Sequence, residues 1–132
     1  MKSALILALL AFGAFAHAEV YEPKPGSPER KGIMDAMRPP VSKYVGKEVK
    51  FTGKPEVSGE WAKYWGKAEA ADGKPPKGDV AIEMQYDLFA LLHKIDGKWK
   101  VVSWGYSSDI SSYMEARAKF PEAPKELMPE IK

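Results

Sequence analysis

Acid–base chemistry in this chain would rest on carboxylates, because other reactive side chains are scarce. The sequence has no cysteine, and His93 is the one histidine outside the first 18 residues. Without cysteine there is no disulfide scaffold, zinc–thiolate site or thiol nucleophile. No HExxH or EF-hand spacing occurs either, so we predict no metal and no cofactor. No residue is assigned as catalytic; the weak candidates are Glu60 and Asp87, since a pocket carboxylate can serve as an acid or base.

Aromatic side chains offer a second kind of chemistry, which is ligand binding. The stretch VSGEWAKYWG concentrates three of them within residues 57–66. In a strand, successive side chains point to opposite faces, so Trp61 and Trp65 share one face and Tyr64 takes the other. Either the two tryptophans complete the core while Tyr64 lies outside, or one set lines a binding groove. The ligand-binding candidates are Trp61, Tyr64, Trp65, Tyr86, Trp104 and Tyr106.

The first 18 residues, MKSALILALLAFGAFAHA, have the pattern of a cleavable signal sequence. A lysine precedes an apolar run, and Ala16 and Ala18 form an A-x-A cleavage site. The apolar run is shorter than the roughly 20 residues that a membrane span needs. We therefore predict cleavage after Ala18, a periplasmic or secreted protein with no membrane span after signal removal, and a single domain over residues 19–132.

The charge balance of the chain narrows the class of partner. Twenty Lys and Arg against 18 Asp and Glu give a formal net charge of +2, which falls to about +1 once Lys2 is removed with the signal. An evenly mixed, nearly neutral surface gives no electrostatic reason to expect nucleic acid. The partners that stay open are a small ligand, a peptide or an envelope protein.

An N-terminal helix is predicted over about residues 28–45. Ser27 and Pro28 form a helix-start signal, and the stripe of apolar residues that follows has helical spacing. Pro39 and Pro40 remove two N–H donors from its middle. We expect a kink there, or two short helices that abut. The apolar stripe consists of Ile33, Met37, Val41 and Tyr44.

Period-2 alternation then predicts about four antiparallel strands. The runs cover about 49–52 and 57–70, separated by Gly53-Lys54-Pro55, and a third run starts at Val80. Asp96-Gly97 is a hairpin turn signal. If the two turn residues set the register, Phe89 pairs with Trp104 and Leu92 with Val101, and His93 lies near the turn as a solvated side chain.

A short C-terminal helix is predicted from a capping-box pattern at Ser112 and Glu115, ending near Phe120. Together the elements give an α+β domain, in which the kinked N-terminal helix packs on one face of a curved sheet. The other face is open unless a partner or the C-terminal tail covers it.

Four stretches carry a resemblance to a known group: GSPERKGIMDAMRPPVSKYVGKEVKF, VSGEWA, ALLHKIDGKWKVVSW, and SSDI with KFPEAPKELM. They resemble small secreted bacterial proteins of unassigned function with a cystatin-like or NTF2-like architecture. The resemblance implies a sheet that wraps a helix around a concave pocket, and a secreted location. It implies no reaction.

Three functions follow as alternatives. The first is a non-enzymatic binding or interaction module that uses an aromatic-lined concave sheet face. The second is an NTF2-like enzyme in which a single pocket carboxylate, Glu60 or Asp87, acts as acid or base. The third is a homodimer that uses the open sheet face as its interface.

Overall fold

The computed structural model describes residues 19–131, and the predicted signal sequence of residues 1–18 lies outside the described residues. The four strands form one antiparallel sheet in the order β1-β2-β3-β4. The predicted α+β class, with an N-terminal helix, four strands and a short C-terminal helix, is therefore confirmed. The elements along the described chain are α1 (Pro28–Val45), β1 (Val49–Ser58), β2 (Trp61–Ala70), α2 (Asp79–Glu83), β3 (Asp87–Ile95), β4 (Lys98–Ser107) and α3 (Ser111–Lys119).

Helix α1 begins and ends on the signals that its sequence carries. The Ser27 side chain accepts a hydrogen bond from the Arg30 N–H at 3.2 Å, and Gly46 ends the helix in the left-handed conformation, with φ 87°. The helix runs as one element through Pro39 and Pro40, so two abutting helices do not form. Its buried residues are Ile33, Met37, Val41 and Val45. The predicted Tyr44 is instead exposed.

The first hairpin differs from its prediction. Strand β1 continues through Gly53-Lys54-Pro55, the segment expected to interrupt it, and the chain turns only at Gly59-Glu60. Pro55 is tolerated because β1 is an edge strand of the sheet, where a missing N–H costs no central ladder bond. Gly53 lies directly opposite Gly66 in the neighbouring strand. The hairpin is therefore longer than expected and has no break.

The second hairpin follows the predicted register only near its turn. Leu92 pairs with Val101, as expected, and His93 pairs with Lys100. A β-bulge between Leu91 and Leu92 then shifts the pairing by one residue, so Phe89 lies opposite Gly105 instead of Trp104. Both faces of β3 carry apolar residues because both are covered: Leu88 and Leu92 belong to one buried cluster, and Phe89 and Leu91 belong to another.

The predicted strand beginning at Val80 is wrong. Residues 79–83 form the short helix α2, and strand β3 begins only at Asp87. The apolar alternation runs over nine residues, from Val80 to Leu88, but only its last two lie in the strand, so the period alone does not fix where the strand begins. The C-terminal helix α3 is confirmed, but its capping box is not: its N-cap residue is Ile110, with no side-chain cap hydrogen bond.

Both faces of the sheet are covered. Helix α1 packs on what we call the first face, together with the buried side chains of Val57, Tyr64, Leu88 and Leu92. Helix α3 and the irregular residues 121–131, which we call the C-terminal segment, cover the second face. The sequence left open whether the face opposite helix α1 is exposed or covered. The C-terminal segment covers it, together with helix α3.

Candidate functional site

The sheet separates the aromatic residues that the sequence proposed as binding candidates. Tyr64, Trp104 and Tyr106 belong to the first face, under helix α1. Trp61 and Trp65 belong to the second face, under α3 and the C-terminal segment. Tyr86 lies between α2 and β3 and is exposed. These six residues therefore do not form one continuous surface.

Tyr64 is fully buried, so the interpretation that it lies outside is wrong. Its hydroxyl donates to the Lys67 carbonyl at 2.7 Å. Burial raises the pKa of this phenol, because the charged form would lose its hydration. The hydroxyl fits only because two glycines face each other beneath it: a Cβ on Gly53 or on Gly66 would come within 2.8 Å of the Tyr64 oxygen. Tyr64 is therefore a core residue of the first face.

Trp104 and Tyr106 are half-buried at the edge of the first face. The Trp104 ring meets the Tyr44 ring edge-on, with centroids 5.4 Å apart. The Tyr106 hydroxyl donates to the Ala68 carbonyl at 2.8 Å. Burial, aided by the negative charge of Glu83, raises the pKa of Tyr106 to about 12. Trp104 therefore joins strand β4 to helix α1, and Tyr106 joins it to strand β2.

The second face carries a compact aromatic cluster. Trp65 stacks on Tyr113 with centroids 5.2 Å apart and meets Phe89 edge-on at 5.4 Å. Trp61 is buried and stacks against the His93 ring at 3.9 Å. His93 is half-buried by this contact, which differs from the expected solvated side chain. Trp61 and Trp65 therefore complete a core, as one of the two interpretations proposed.

Trp65 is only half-buried, and it borders an open cleft of about 390 Å³. We call this the Trp65 cleft. Its walls come from the middle of β2, the residues between α2 and β3, the start of β3, the end of β4 and the loop before α3. The lining residues are Trp65, Lys67, Gln85, Tyr86, Asp87, Ser107, Ser108, Asp109 and Ile110. The cleft thus brings together three of the residues that the sequence singled out: Trp65, Tyr86 and Asp87.

The charges within the Trp65 cleft are largely compensated. The Lys67 ammonium lies 3.1 Å from the Asp87 carboxylate and donates to the Gln85 carbonyl at 2.7 Å. The Asp109 carboxylate accepts hydrogen bonds from the Ser111 hydroxyl and from the Ser111 N–H, the latter at 2.9 Å. These bonds lower the pKa of Asp109. The lining therefore offers two carboxylates and one ammonium, with a small negative balance.

The two weak catalytic candidates lie far apart. Glu60 is exposed in the β1–β2 turn, where its carbonyl accepts from the Lys94 N–H at 2.7 Å. Asp87 begins β3, and Lys94 lies near the end of the same strand. At about 3.3 Å per residue the two carboxylates are separated by roughly 20 Å, so they cannot act on one substrate atom. Only Asp87 borders the Trp65 cleft.

Sequence reasoning missed Lys67, Gln85 and Ser107 as members of this site. Lys67 lies in β2, Gln85 lies between α2 and β3, and Ser107 lies in β4, so the pairing of these strands brings them together. The misassigned strand at residues 79–83 also hid where Tyr86 lies. No local pattern in the sequence carries this information, because the cleft depends on strand order.

Within residues 19–131, no cluster of three or more His, Asp or Glu side chains could hold a metal ion. None of the described helices is both long enough and apolar enough to cross a membrane. No protein-family model matches the chain, and comparison with curated proteins and with solved structures found no significant similarity.

Proposed function

We propose that this chain is an exported, non-enzymatic binding module whose ligand site is the Trp65 cleft. The observation that carries the proposal is the composition of the cleft, which combines two aromatic side chains with carboxylate, amide, hydroxyl and ammonium groups. Small-molecule sites typically combine apolar contact area with a few polar groups that fix orientation. In this proposal the aromatic-lined surface is a cleft, in place of the concave sheet face that the sequence predicted.

The ligand class follows from the charges. A small cation would compete with the Lys67 ammonium for Asp87 and with the Ser111 N–H for Asp109, and a small anion would meet the carboxylates of Asp87 and Asp109. Like-charge contacts of this kind are unfavourable at short range. A neutral ligand that has both an apolar face and several hydroxyl groups satisfies the cleft best, because its apolar face can stack on Trp65 or Tyr86 while hydroxyls bond to the carboxylates. Saccharides have this chemistry.

Titration with three probes tests the ligand class: N-acetylglucosamine as the neutral probe, choline as the cation and inorganic phosphate as the anion. Quenching or enhancement of tryptophan fluorescence reports binding near Trp65. We expect saturable binding of the neutral probe alone, in the millimolar range that suits an open site. Tighter binding of choline or phosphate, or no binding by any probe, would contradict the saccharide assignment.

Tyr86→Ala should weaken saccharide binding at least fivefold, because the exposed ring supplies apolar contact area. Tyr44→Ala is the matched control. The two tyrosines are similarly exposed, at 41% and 46%, but Tyr44 lies on the helix α1 side and outside the cleft. An equal loss in both variants would point to a general loss of structure in place of a lost contact.

Export rests on the pattern of residues 1–18, and the fold family on the resemblance to cystatin-like and NTF2-like secreted proteins. Expression of the full chain in a bacterium, followed by N-terminal sequencing of the periplasmic fraction, tests the first point. We expect the mature chain to begin at Glu19. A chain that retains Met1 would contradict cleavage after Ala18.

The enzyme alternative rests on Asp87, since Glu60 lies far from the cleft. Asp87 is half-exposed and paired with Lys67, an arrangement that suits ligand binding better than proton transfer. Asp87→Asn separates the two functions. A binding module should bind the neutral probe more weakly and convert nothing, whereas turnover of a glycoside by the unmodified chain that Asp87→Asn abolishes would establish the enzyme.

A further inference from the structure

The two faces of the sheet are covered, so its edges are the surface to consider for a partner. Helix α1 packs on the first face. On the second face, side chains bind the backbone of the C-terminal segment: the Lys63 ammonium donates to the Leu127 carbonyl at 2.6 Å, and the Arg117 Nε–H donates to the Met128 carbonyl at 3.0 Å. The open sheet face that the predicted homodimer would use is therefore covered.

Strand β1, at one edge of the sheet, is protected over its second half. Tyr21 pairs with Val57 through two backbone hydrogen bonds, at 2.9 and 2.8 Å. Pro55 has no N–H to offer, and the Gly53 carbonyl accepts from the Arg30 guanidinium at 3.5 Å. A covering segment and an edge proline are among the features that keep an edge strand from pairing with another chain. This part of β1 is therefore closed to a further strand.

Strand β4, at the opposite edge, presents backbone groups that point away from the sheet. The Lys94 N–H donates to the Glu60 carbonyl at 2.7 Å, so Lys94 and every second residue of β3 before it bond toward β2. Their partners in β4 consequently direct N–H and C=O away from β3. Those partners are Trp99, Val101, Trp104 and Tyr106. Within residues 19–131, no backbone hydrogen bond joins these outward groups to another part of the chain.

The spacing of these outward groups favours one kind of partner strand. Residues 101–107 contain neither a proline nor a charged side chain, so nothing there opposes pairing. Because of the bulge, a three-residue step separates Val101 from Trp104. A regular strand presents outward groups at every second residue and would lose register at this step. A second β4 has the same step, so in an antiparallel pair Val101 faces Trp104 and Trp99 faces Tyr106 on both sides of the centre.

The two ends of the β4 edge carry opposite charge. Beside its start, lysines outnumber carboxylates; the charged residues there are Lys94, Asp96, Lys98 and Lys100. Beside its end, Asp109 follows the strand, and Asp87, which lies opposite Ser107, is paired with Lys67. The start is therefore positive and the end negative. A twofold axis across the strand places the positive end of each copy beside the negative end of the other, where the charges attract.

We propose that β4 is the dimerisation edge of this protein: it pairs antiparallel with β4 of a second copy, about a twofold axis at residues 102 and 103. Two sheets of four strands then form one continuous sheet. The interface is isologous and closes at two copies, so it does not extend into a filament. Trp65 has no part in the pairing, and the proposal is independent of the saccharide site.

Sedimentation of the chain and of two variants at Val101 tests the pairing. We expect a monomer–dimer equilibrium with a dissociation constant in the micromolar range. Val101→Pro removes an N–H that has no backbone partner within the described chain, and an edge strand tolerates proline. The dissociation constant should rise at least tenfold. Val101→Ala is the matched control, because it loses similar packing but keeps the N–H, and it should remain dimeric.

A chain that stays monomeric at about 0.2 mM would overturn the proposal, and so would equal dissociation constants for Val101→Pro and Val101→Ala. Circular dichroism shows whether each variant is folded. Where Val101→Pro does not fold, cross-linking decides. The chain has no cysteine, so Ser103→Cys places a single thiol beside the axis, within disulfide reach of its copy. Oxidation should link most of it as dimers, whereas Thr52→Cys on β1 should stay monomeric; equal linking of both would contradict pairing through β4.

Discussion

The two faces of the sheet are buried by different means. On the first face, a single helix of 18 residues contributes a regular stripe of apolar side chains, from Ile33 to Val45. On the second face, the short helix α3 and the irregular C-terminal segment contribute Tyr113, Ala116, Leu127 and Met128. Side-chain hydrogen bonds to carbonyls replace regular secondary structure there.

This difference predicts different opening behaviour. Removing helix α1 would expose the core of the first face and break a cooperative helix, so the first face should open only when the whole domain unfolds. The C-terminal segment is irregular, and the bonds that its N–H groups make to backbone carbonyls are local. It can therefore detach at a free energy below that of global unfolding. Each prediction below tests this distinction, beginning with the largest expected effect.

Truncation of one fully buried aliphatic side chain on each face compares them directly. Ile33→Ala should lower the free energy of unfolding by about 3 kcal/mol, because a cavity remains beneath a helix that cannot leave alone. Leu127→Ala should lower it by less, because its cost cannot exceed the free energy that holds the segment in place. Urea unfolding followed by tryptophan fluorescence and by circular dichroism measures both.

For each of the two variants, the urea transition followed by fluorescence is compared with the transition followed by circular dichroism. For Ile33→Ala the two transitions should coincide, as expected of two-state unfolding. For Leu127→Ala the fluorescence of Trp61 and Trp65 should change before the circular dichroism signal. Coincident transitions with equal losses in both variants would show that the two faces form one cooperative unit.

The same difference explains how far the sequence predicts this fold. Helix α1 has its signals in consecutive residues: Ser27 and Pro28 at its start, and a stripe of helical period along its length. Asp96-Gly97 likewise predicts the β3–β4 turn and the pairs nearest to it. Features that depend on neighbours in sequence are therefore predictable, and helix α1 belongs to this class, whereas the burial of Tyr64 on the first face was not predicted.

The second face depends on contacts between distant residues. Lys63 and Leu127 are 64 positions apart, and no periodicity in residues 121–131 indicates that they cover the sheet. The bulge that moves Phe89 opposite Gly105 also lacks a glycine or proline signal in either strand at that point. For the Trp65 cleft, the sequence proposed Trp65, Tyr86 and Asp87 but could not place them together, because their proximity follows from strand order.

Glycine substitutions test how tightly the first face is packed around Tyr64. A Cβ on Gly66 would lie 2.7 Å from the Thr52 carbonyl oxygen, which is backbone and cannot move alone. A Cβ on Gly53 would lie 2.8 Å from the Tyr64 hydroxyl. Gly66→Ala should therefore cost about 2 kcal/mol, and more than Gly53→Ala.

Combination with Tyr64→Phe separates the two contacts. Removing the hydroxyl should recover part of the loss in Gly53→Ala and less of the loss in Gly66→Ala, when each is measured by urea unfolding against Tyr64→Phe alone. If Tyr64→Phe recovers the same unfolding free energy in both glycine variants, the backbone of β1 can shift at little cost. The first face would then be less rigid than its burial indicates.

Removal of one donor to the C-terminal segment should affect the second face alone. Lys63→Met keeps the apolar stem but leaves the Leu127 carbonyl without this partner, at a cost of about 1 kcal/mol. Exchange of the Leu127 and Met128 amides with solvent should become about fivefold faster, whereas amides of β2 and β3 should not change. Lys54→Met, an exposed lysine of β1, is the matched control. Faster exchange throughout the sheet would show that the segment does not open separately.

The smallest expected effect is at alkaline pH, where phenols on both faces lose protons. Tyr106, on the first face, has its pKa raised from 10.0 to about 12 by burial and by the charge of Glu83. A raised pKa means that the unfolded chain releases this proton first, so the stabilisation is complete below about pH 10 and is lost as the pH rises toward 12. Because the ring is half-buried, we expect a loss below about 1 kcal/mol.

Tyr106→Phe should make the decline of unfolding free energy between pH 10 and 11 shallower, because the variant has no proton to release there. Tyr113→Phe gives the comparison for the second face, where burial also raises the pKa of a tyrosine that bonds to the segment through the Pro129 carbonyl. If the segment opens on its own, the Tyr113 substitution should alter the pH dependence of amide exchange in residues 123–128 and leave the global decline nearly unchanged. If instead the decrease of the global unfolding free energy with pH depends on Tyr113 and not on Tyr106, the second face unfolds cooperatively with the rest of the domain.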